Sequence, residues 1–401
     1  MLTPKHRAAT LTAAYYAAVF MAFGAQLPYW PIWLKNWGLS ETEIGFYLGA
    51  ATIARIAGTT LLPALADRYA IRRWLIAGTA VCAAATMVAH LLVGQAEMLL
   101  AITLVYAVLA APTVPVGEAL GIRASERYGF AYGPVRAVGS IAFLSANVGV
   151  GALIGSAGID AVVWAVSGGL LLTAMLATVH PGGGAPAKAA DRATTADLKA
   201  LAMTPVFAVF VLTTALGQAG HVVYYIYSSL EWQASGISTA TIGWLWAVGV
   251  MAETVLMLGP GRIWVLKLGP ERALALAALA GVARWGLMSL EPGLDGLWPL
   301  QAMHALTFGL AHLAAIAFVA RAIPPRVAAS AIGVVSGVIG GSIQAAAMAA
   351  AAMLTARYGI HSAYIMAAGM ALASSALALM LGRLWNGNQI IPSDTADGPA
   401  S

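Results

Sequence analysis

Twelve apolar runs, each about 20 residues long, follow one another along the chain with short polar segments between them. A helix of about this length is what the hydrocarbon core of a bilayer requires. Because lipid offers the backbone no hydrogen-bond partners, such runs cross a membrane as helices. The sequence therefore predicts an all-α polytopic membrane protein. We place its twelve transmembrane helices at residues 9–33, 43–66, 74–93, 98–122, 132–155, 160–178, 204–230, 239–258, 273–291, 297–320, 328–356 and 360–382.

The composition limits what such a chain can do. It is 60% hydrophobic and 9% charged over 401 residues, which does not suit a soluble globule. The single cysteine, Cys82, excludes an intrachain disulfide and a multi-cysteine metal site. The sequence offers no nucleophile with a base, no metal-ligand cluster and no phosphate-binding loop, so we do not expect an enzyme. The short polar segments also disfavour a signalling receptor.

The basic residues predict how the chain is oriented. Of the 21 lysines and arginines, sixteen fall in loops on the side of the N-terminus, whereas only Lys35 and Arg357 fall in the opposite loops. Cytoplasmic loops carry an excess of lysine and arginine, so both termini are expected in the cytoplasm. The net charge of +5 follows from this topology, and binding to nucleic acid is not needed to explain it.

The predicted helices fall into two halves of six. The polar segment 180–201 is rich in Gly, Pro and Ala, which is typical of a linker. A weak repeat relates LADRYAIRRWL (65–75) to WVLKLGPERAL (264–274). Paired six-helix halves with a site between them are a transporter architecture. We therefore expect two pseudo-symmetric six-helix bundles, at 1–178 and 204–383, joined by a cytoplasmic linker (179–203) and followed by a disordered cytoplasmic tail (384–401).

The first copy of the repeat carries a motif. ADRYAIRR resembles the loop between helices 2 and 3 of the major facilitator superfamily, in which an Asp-Arg pair precedes a basic cluster. Ala70 stands at the central glycine of that motif. The matching residues are Asp67, Arg68, Arg72 and Arg73. The resemblance implies a cytoplasmic gate that pairs charges across helices, and the alternative is plain positive-inside anchoring.

A second resemblance covers most of the chain. Its segments are LPYWPIWLKNWGLSETEIG (27–45), YGPVRAVGSIAF (132–143), VARWGLMSL (282–290) and MHALTFGLAHLAAIAFV (303–319). They are similar to the phenylpropionate permease family, a bacterial branch of the superfamily allied to the lactose permease and nucleoside permease families. The resemblance implies the major facilitator fold, the bacterial inner membrane, and proton-coupled import of a small solute typified by an aromatic carboxylic acid. We expect a monomer that uses the proton gradient and no cofactor.

Five ionisable side chains lie within the predicted helices: Arg55, Glu118, Arg136, Glu253 and Arg284. A charge at the bilayer centre costs about 2.5–3.5 kcal/mol on insertion scales and is usually kept for function. The three arginines outnumber the two carboxylates. If Glu118 pairs with Arg136 and Glu253 with Arg284, Arg55 has no carboxylate partner. An anionic substrate would neutralise it, because a guanidinium binds a carboxylate through two hydrogen bonds. The alternative is that Arg55 binds backbone carbonyls or snorkels.

The allied lactose permease family implies roles for the first pair. Glu118 and Arg136, eighteen residues apart, correspond to its substrate-binding carboxylate and arginine. Helical periodicity then places further polar or aromatic side chains on stripes that face a cavity. The substrate-binding candidates on these stripes are Gln26, Asn147, Gln218 and Tyr225. A structural ion pair is the alternative for Glu118 and Arg136.

The same family implies a second cluster for proton coupling. Glu253 and Arg284 match a pair in its C-terminal half, and His304 matches its helix 10 histidine. Thr307 stands where that family keeps its proton-carrying carboxylate. We therefore assign the proton to Glu253 first, tuned by His304, and to Glu118 second. A structural ion pair is again the alternative.

Together these observations predict a proton symporter for an aromatic carboxylic acid such as phenylpropionate. It would work by alternating access, with two bundles rocking around a central site. Its expected partners are the solute, protons and the lipid bilayer, with no metal. A sugar or nucleoside remains an alternative solute, because Glu118 and Arg136 match a sugar-binding pair. Export of a drug-like compound by proton antiport also remains open.

Overall fold

The computed structural model describes residues 3–183, 195–324, 327–328, 333 and 337–391, and these residues form helices with no β-strand. In chain order the helices are α1 (Pro4–Trp37), α2 (Glu41–Arg68), α3 (Arg72–Ala89), α4 (Ala96–Ala110), α5 (Thr113–Tyr128), α6 (Tyr132–Ala157), α7 (Ala161–Thr178), α8 (Thr195–Ala202), α9 (Pro205–Ala234), α10 (Thr239–Leu258), α11 (Gly261–Leu268), α12 (Pro270–Met288), α13 (Leu294–Ala302), α14 (Ala311–Ala322), α15 (Gly337–Tyr358) and α16 (Ile360–Leu384). A 3₁₀ turn, His90–Leu92, follows α3, and a π-helical turn, Ala305–Leu310, precedes α14. The predicted all-α polytopic fold is confirmed.

Eleven helical segments in the described part of the chain are long and apolar enough to cross a membrane. The predicted helix 273–291 is present as α12 but is not one of the eleven, because Glu271, Arg272 and Arg284 make it more polar. The start of the predicted helix 328–356 lies largely outside the described residues, and its described part is α15. By length and composition, the described residues therefore show eleven of the twelve predicted transmembrane helices.

Many large apolar side chains are exposed along these helices. Leu61, Met175 and Val255, for example, are each 68% or 69% exposed. Apolar surface on this scale would be unfavourable in water and is favourable against lipid tails. The exposed faces therefore agree with a multi-pass membrane protein.

Two of the predicted helices are split near a proline. α4 ends at Ala110 and α5 begins at Thr113, because Pro112 between them has no N–H to donate to the helix. α13 contains Pro299 and is followed by the π-helical turn Ala305–Leu310. Such turns widen the helix locally and are frequent at functional sites. The two irregular regions lie close to Glu118 and Thr307 in the sequence.

The chain divides into two compact units. The first comprises Met1–Ala187 and Tyr225–Ala247, and the second comprises Lys188–Tyr224 and Val248–Ser401. A core cluster in the first unit includes Tyr15, Ile76 and Leu120. A core cluster in the second unit includes Phe210 and Phe318. The bundle limits at residues 178 and 204 remain a prediction.

The predicted linker and tail are described only in part. Residues 184–194 and 392–401 lie outside the described residues, whereas α8 lies within the predicted linker. After α16, Trp385 packs on a ring of α14, and the Ile390 N–H donates to the Ala322 carbonyl. The described residues that follow α16 therefore pack against α14.

Candidate functional site

A cluster of polar side chains is buried in the second unit, where α9, α10, α12 and the segment between α13 and α14 meet. His304 Nε2 lies 3.4 Å from Glu253 Oε2, and His304 Nδ1 lies 3.2 Å from Arg284 Nη1. Arg284 is 0% exposed. Its Nη1 also donates to Thr307 Oγ1 at 3.0 Å, and its Nη2 donates to Gln301 Oε1 at 3.2 Å. One imidazole thus links the predicted carboxylate to the predicted arginine.

The chemistry of these groups determines where the protons lie. A guanidinium can only donate, so His304 Nδ1 accepts and its proton is on Nε2, facing Glu253. His221 Nδ1 faces the Gly217 carbonyl at 3.2 Å, so this nitrogen carries the proton. His221 Nε2 then accepts from the Thr307 hydroxyl at 3.2 Å. Directed hydrogen bonds therefore run from Arg284 through Thr307 to His221.

The surroundings of the cluster hold its side chains in place. The Arg284 guanidinium lies over the rings of Trp285 and Tyr224, at 4.6 and 5.0 Å from their centroids, where cation–π attraction is favourable. A Cβ at position 309 would lie 3.1 Å from Glu253 Cγ, so Gly309 gives this carboxylate room. Within the described residues, no three His, Cys, Asp or Glu side chains come together as metal ligands.

The first unit contains the other predicted pair. Arg136 Nε on α6 lies 3.3 Å from Glu118 Oε1 on α5, and their side chains are 28% and 41% exposed. The guanidinium lies over the rings of Phe20 and Tyr16, at 4.1 and 5.3 Å. Neither Nη group has a hydrogen-bond partner in the described part of the chain. The pair is thus less buried than the sequence indicated. The edge of the Arg136 guanidinium that carries the two Nη groups makes no hydrogen bond to a described residue.

Arg55 lies on α2 in the first unit. Its side chain is exposed rather than buried, and it forms no ion pair with any described residue. No described carboxylate therefore neutralises this cation. Elsewhere in the first unit, the Tyr225 ring stacks on Trp246 at a centroid distance of 5.9 Å.

Three further predicted binding residues make separate contacts. Gln26 Oε1 accepts from the Tyr106 hydroxyl at 2.7 Å. The Asn147 side chain is fully buried, and its amide group has no hydrogen-bond partner in the described region. The backbone carbonyl of Asn147 accepts from the Tyr29 hydroxyl. Gln218 lines a cavity in the second unit. Gln26, Asn147 and Gln218 therefore do not contact one another through these interactions.

The predicted gate residues lie at the end of α2 and the start of α3. Arg72 Nε donates to Asp67 Oδ1 at 2.5 Å, so this pair is brought together. Arg68 is exposed. Arg73 Nη1 instead donates to the carbonyl of His180, at 3.1 Å, just after α7. Burial, together with the nearby Arg73 charge, lowers the pKa of His180 to about 4.

The backbone of this loop explains why the motif has a central glycine. Ala70 adopts φ of 57°, in the left-handed region that costs a residue with a Cβ about 1–2 kcal/mol. Gly269, at the matching position of the repeat, has φ of 83°. This chain therefore keeps the turn of the motif without its glycine.

Sequence reasoning missed several residues of the two clusters. Gln301 lies one turn before His304 on the same segment, and this spacing was the available signal. His221 shares a helical stripe with Gln218, but nothing in the sequence paired it with Thr307. Phe20, over Arg136, gave no signal because it lies in an apolar run.

Comparison with known proteins identifies the family. The family model described as "MFS_1 like family" matches residues 10–375, which is most of the chain. The chain belongs to this family. It is therefore a major facilitator transporter with a small-molecule substrate, and not an enzyme.

Named relatives of this MFS transporter agree with that assignment. "Probable 3-phenylpropionic acid transporter" of Escherichia coli (strain K12) is 30% identical over 312 residues, covering 76% of this chain and 80% of that protein. Maltose permease of Geobacillus stearothermophilus is 27% identical over 330 residues, covering 82% and 83%. The crystal structure of the nucleoside transporter NupG matches 94% of this chain and 99% of its own with a TM-score of 0.74 at 16% identity, which shows the fold. The predicted resemblance to the superfamily and to a phenylpropionate permease is confirmed.

Proposed function

We propose that this MFS transporter is a proton-coupled importer of a small aromatic carboxylic acid, such as phenylpropionate. The observation that carries the proposal is the setting of Arg136. Glu118 binds its Nε edge, the Phe20 ring covers one face, and both Nη groups lack a partner among the described residues. Two parallel N–H groups suit a carboxylate, and the adjacent rings suit an aromatic solute. The name of the E. coli relative supports the same substrate class.

Arg55 supports the negative charge of the substrate. Its side chain is exposed and has no carboxylate partner in the described part of the chain. A second cation that can bind an anion would further favour an acid over a neutral solute. We assign substrate contact to both arginines and to Glu118, Gln26, Asn147 and Tyr225, whereas Gln218 lines the cavity of the second unit.

Proton coupling is assigned to the buried cluster of the second unit. Glu253 carries the proton, and His304 and Arg284 respond to its loss or gain, because the imidazole lies between carboxylate and guanidinium. We infer alternating access driven by the proton gradient alone, without a cofactor, in a monomer in the bacterial inner membrane with both termini in the cytoplasm. Asp67, Arg68, Arg72 and Arg73 form the cytoplasmic gate.

A sugar or nucleoside is the second candidate substrate. The similarity to maltose permease favours it, and so does the half-exposed carboxylate of Glu118, which can accept from hydroxyl groups. The setting of Arg136 argues against it, because two Nη groups without a described partner suit a carboxylate better than a neutral hydroxyl group.

Uptake into cells separates the candidates. Labelled phenylpropionate, maltose and lactose are compared in bacteria with and without the protein, each in the presence and absence of a protonophore. We expect protonophore-sensitive accumulation of phenylpropionate only. Accumulation of maltose or lactose instead would favour the second candidate, and phenylpropionate uptake that ignores the protonophore would contradict proton coupling.

A further inference from the structure

A small cavity of about 80 Å³ lies inside the second unit, between α9, α12, α14 and α16. Its lining includes the polar residues Thr213, Thr214, Gln218, His221, Thr307, His312 and Ser374. One water molecule needs about 10–15 Å³ of such space and two to four polar partners. The cavity therefore has room for several water molecules.

The lining also offers unused hydrogen-bonding capacity. Gln218 is half-buried in the lining and has no hydrogen-bond partner among the described residues, and His312 lines the cavity with an exposed side chain. The Thr214 hydroxyl donates to the Phe210 carbonyl and keeps its lone pairs free. Empty cavities are apolar, whereas polar ones are occupied by water. The polar lining therefore favours occupation of the cavity by water.

The cavity touches the buried cluster at one end. His221 and Thr307 belong to both. Arg284 Nη1 contacts His304 Nδ1 at 3.2 Å and Thr307 Oγ1 at 3.0 Å. The His221 ring also packs edge-on against His304, at a centroid distance of 5.6 Å. The cavity wall and the imidazole of His304 are therefore neighbours.

Away from the cluster, the cavity extends toward the start of α9 and α12 and toward the end of α14. Thr213 and Leu274 lie closer than His221 and Trp285 to the start of α9 and α12. Ala315 likewise lies toward the end of α14. In the proposed topology all these helix ends are cytoplasmic.

We propose that this cavity holds water and is the route by which the proton of Glu253 reaches the cytoplasm. The inference rests on the proposed proton coupling and deepens it by naming the route and the side of release. The groups that face the route are His221, His312, Arg284 and His304, with Glu253 behind His304.

The proton balance follows from the two tautomers of His304. In the structure its proton is on Nε2, which is the arrangement after release, with Glu253 as a carboxylate. Before release, protonated Glu253 donates to Nε2, so the imidazole proton stands on Nδ1 and displaces Arg284 Nη1 from it. Water from the cavity takes the Nδ1 proton while Glu253 gives its own to Nε2. One proton leaves, and the described arrangement returns.

Hydroxyl-radical footprinting of the full chain in nanodiscs tests the hydration directly. Radicals formed from bound water should label His221 and Trp285, although each is only 1% exposed. His90 and Trp30, buried in the first unit at 0% and 4% exposure, serve as references. Ala278→Leu should fill the cavity and remove the labelling, whereas Ala283→Leu, on the exposed face of α12, should not. Labelling of His221 and Trp285 no greater than that of the references would overturn the proposal.

Transport assays test the role in proton release. Ala278→Leu should slow protonophore-sensitive accumulation by roughly tenfold or more, within the range that a lost proton-transfer step costs, while substrate counterflow continues. Ala311→Leu, which fills the same cavity from α14, provides a second variant if the first fails to fold. Normal accumulation by a variant whose labelling is lost would overturn the route. Absence of coupled accumulation in the wild type would instead contradict the proposed function, and the route with it, whatever the footprinting shows.

Discussion

The Nε2 atom of His304 lies 3.4 Å from Oε2 of Glu253 and presents the imidazole proton to the carboxylate. The other ring nitrogen is held by Arg284, so a group that can exchange a proton at either nitrogen stands between the two charges. Any change in the protonation of Glu253 must therefore alter the contact that His304 makes with Arg284.

Thr307 should be essential for the stability of this cluster through its hydroxyl. Thr307→Val keeps the shape but leaves Arg284 Nη1 and His221 Nε2 each without one buried hydrogen bond, which we expect to cost about 1–3 kcal/mol. Thr307→Ser retains the hydroxyl and should cost less than half as much. Thermal unfolding of the purified proteins measures both. Equal stability of the valine variant and the wild type would contradict the hydrogen-bond assignment.

The variant Arg55→Gln should show whether Arg55 recognises the negative charge of the substrate or has only a structural role. If Arg55 contacts a carboxylate, affinity for the acid should fall about tenfold or more, since a hydrogen bond to a charged group contributes about 1.5–3 kcal/mol. Affinity for the neutral amide of the same acid should change little. Binding of both compounds to the purified protein gives the comparison. An equal loss for acid and amide would show that Arg55 is structural.

Glu118 and Arg136 should behave as a coupled pair. Neutralising either one strands the other charge, whereas neutralising both removes the problem, so the double variant Glu118→Gln, Arg136→Gln should be more stable than at least one single variant. Because both side chains are partly exposed, we expect a penalty of about 1–2 kcal/mol for the single changes, below that of a fully buried pair. Stability is measured by thermal unfolding. If the two single losses simply add in the double variant, the two residues are not coupled.

His180 should make the protein sensitive to acid. Its pKa of about 4 in the folded protein lies below the value of about 6.5 in an unfolded chain, so the unfolded state binds more protons between these values. Stability should therefore fall as the pH drops from about 6.5 to about 4. His180→Asn removes this titration and keeps an acceptor for the Gly182 N–H. Parallel stability profiles of variant and wild type across this range would contradict the buried neutral imidazole.

The positions of helices could be predicted where the length of an apolar run and the polar residues at its ends determine them. The predicted span 239–258 coincides with α10, because an apolar run bounded by polar loops leaves little choice. The split at Pro112 and the π-helical turn before α14 were not predicted, since local backbone geometry depends on how neighbouring helices pack. The single spans expected at 98–122 and 297–320 are present as Ala96–Tyr128 and Leu294–Ala322, each with a local irregularity that was not predicted.

For the candidate site, the sequence identified the charges but not the contacts between them. Glu253, Arg284 and His304 were grouped correctly, but the order, with His304 in the middle, required the structure. The partners His221 and Gln301 are polar residues whose role depends on three-dimensional proximity to Arg284. Arg55 was expected to be buried, and its exposure could not be derived from a position within an apolar run.

Proton coupling depends most on the assignment of the proton to Glu253, and the variant Glu253→Gln tests this assignment most directly. Glutamine mimics the protonated carboxyl but cannot release a proton. Exchange of external labelled phenylpropionate for internal unlabelled substrate needs no deprotonation, whereas net uphill uptake does.

The decisive measurement is therefore counterflow and accumulation by the same proteoliposomes containing Glu253→Gln, with the wild type beside them. We predict that counterflow persists while accumulation and its dependence on external pH are lost. Glu118→Gln, at the assigned binding site, should lose both activities. Accumulation by Glu253→Gln at the wild-type level would contradict the assignment.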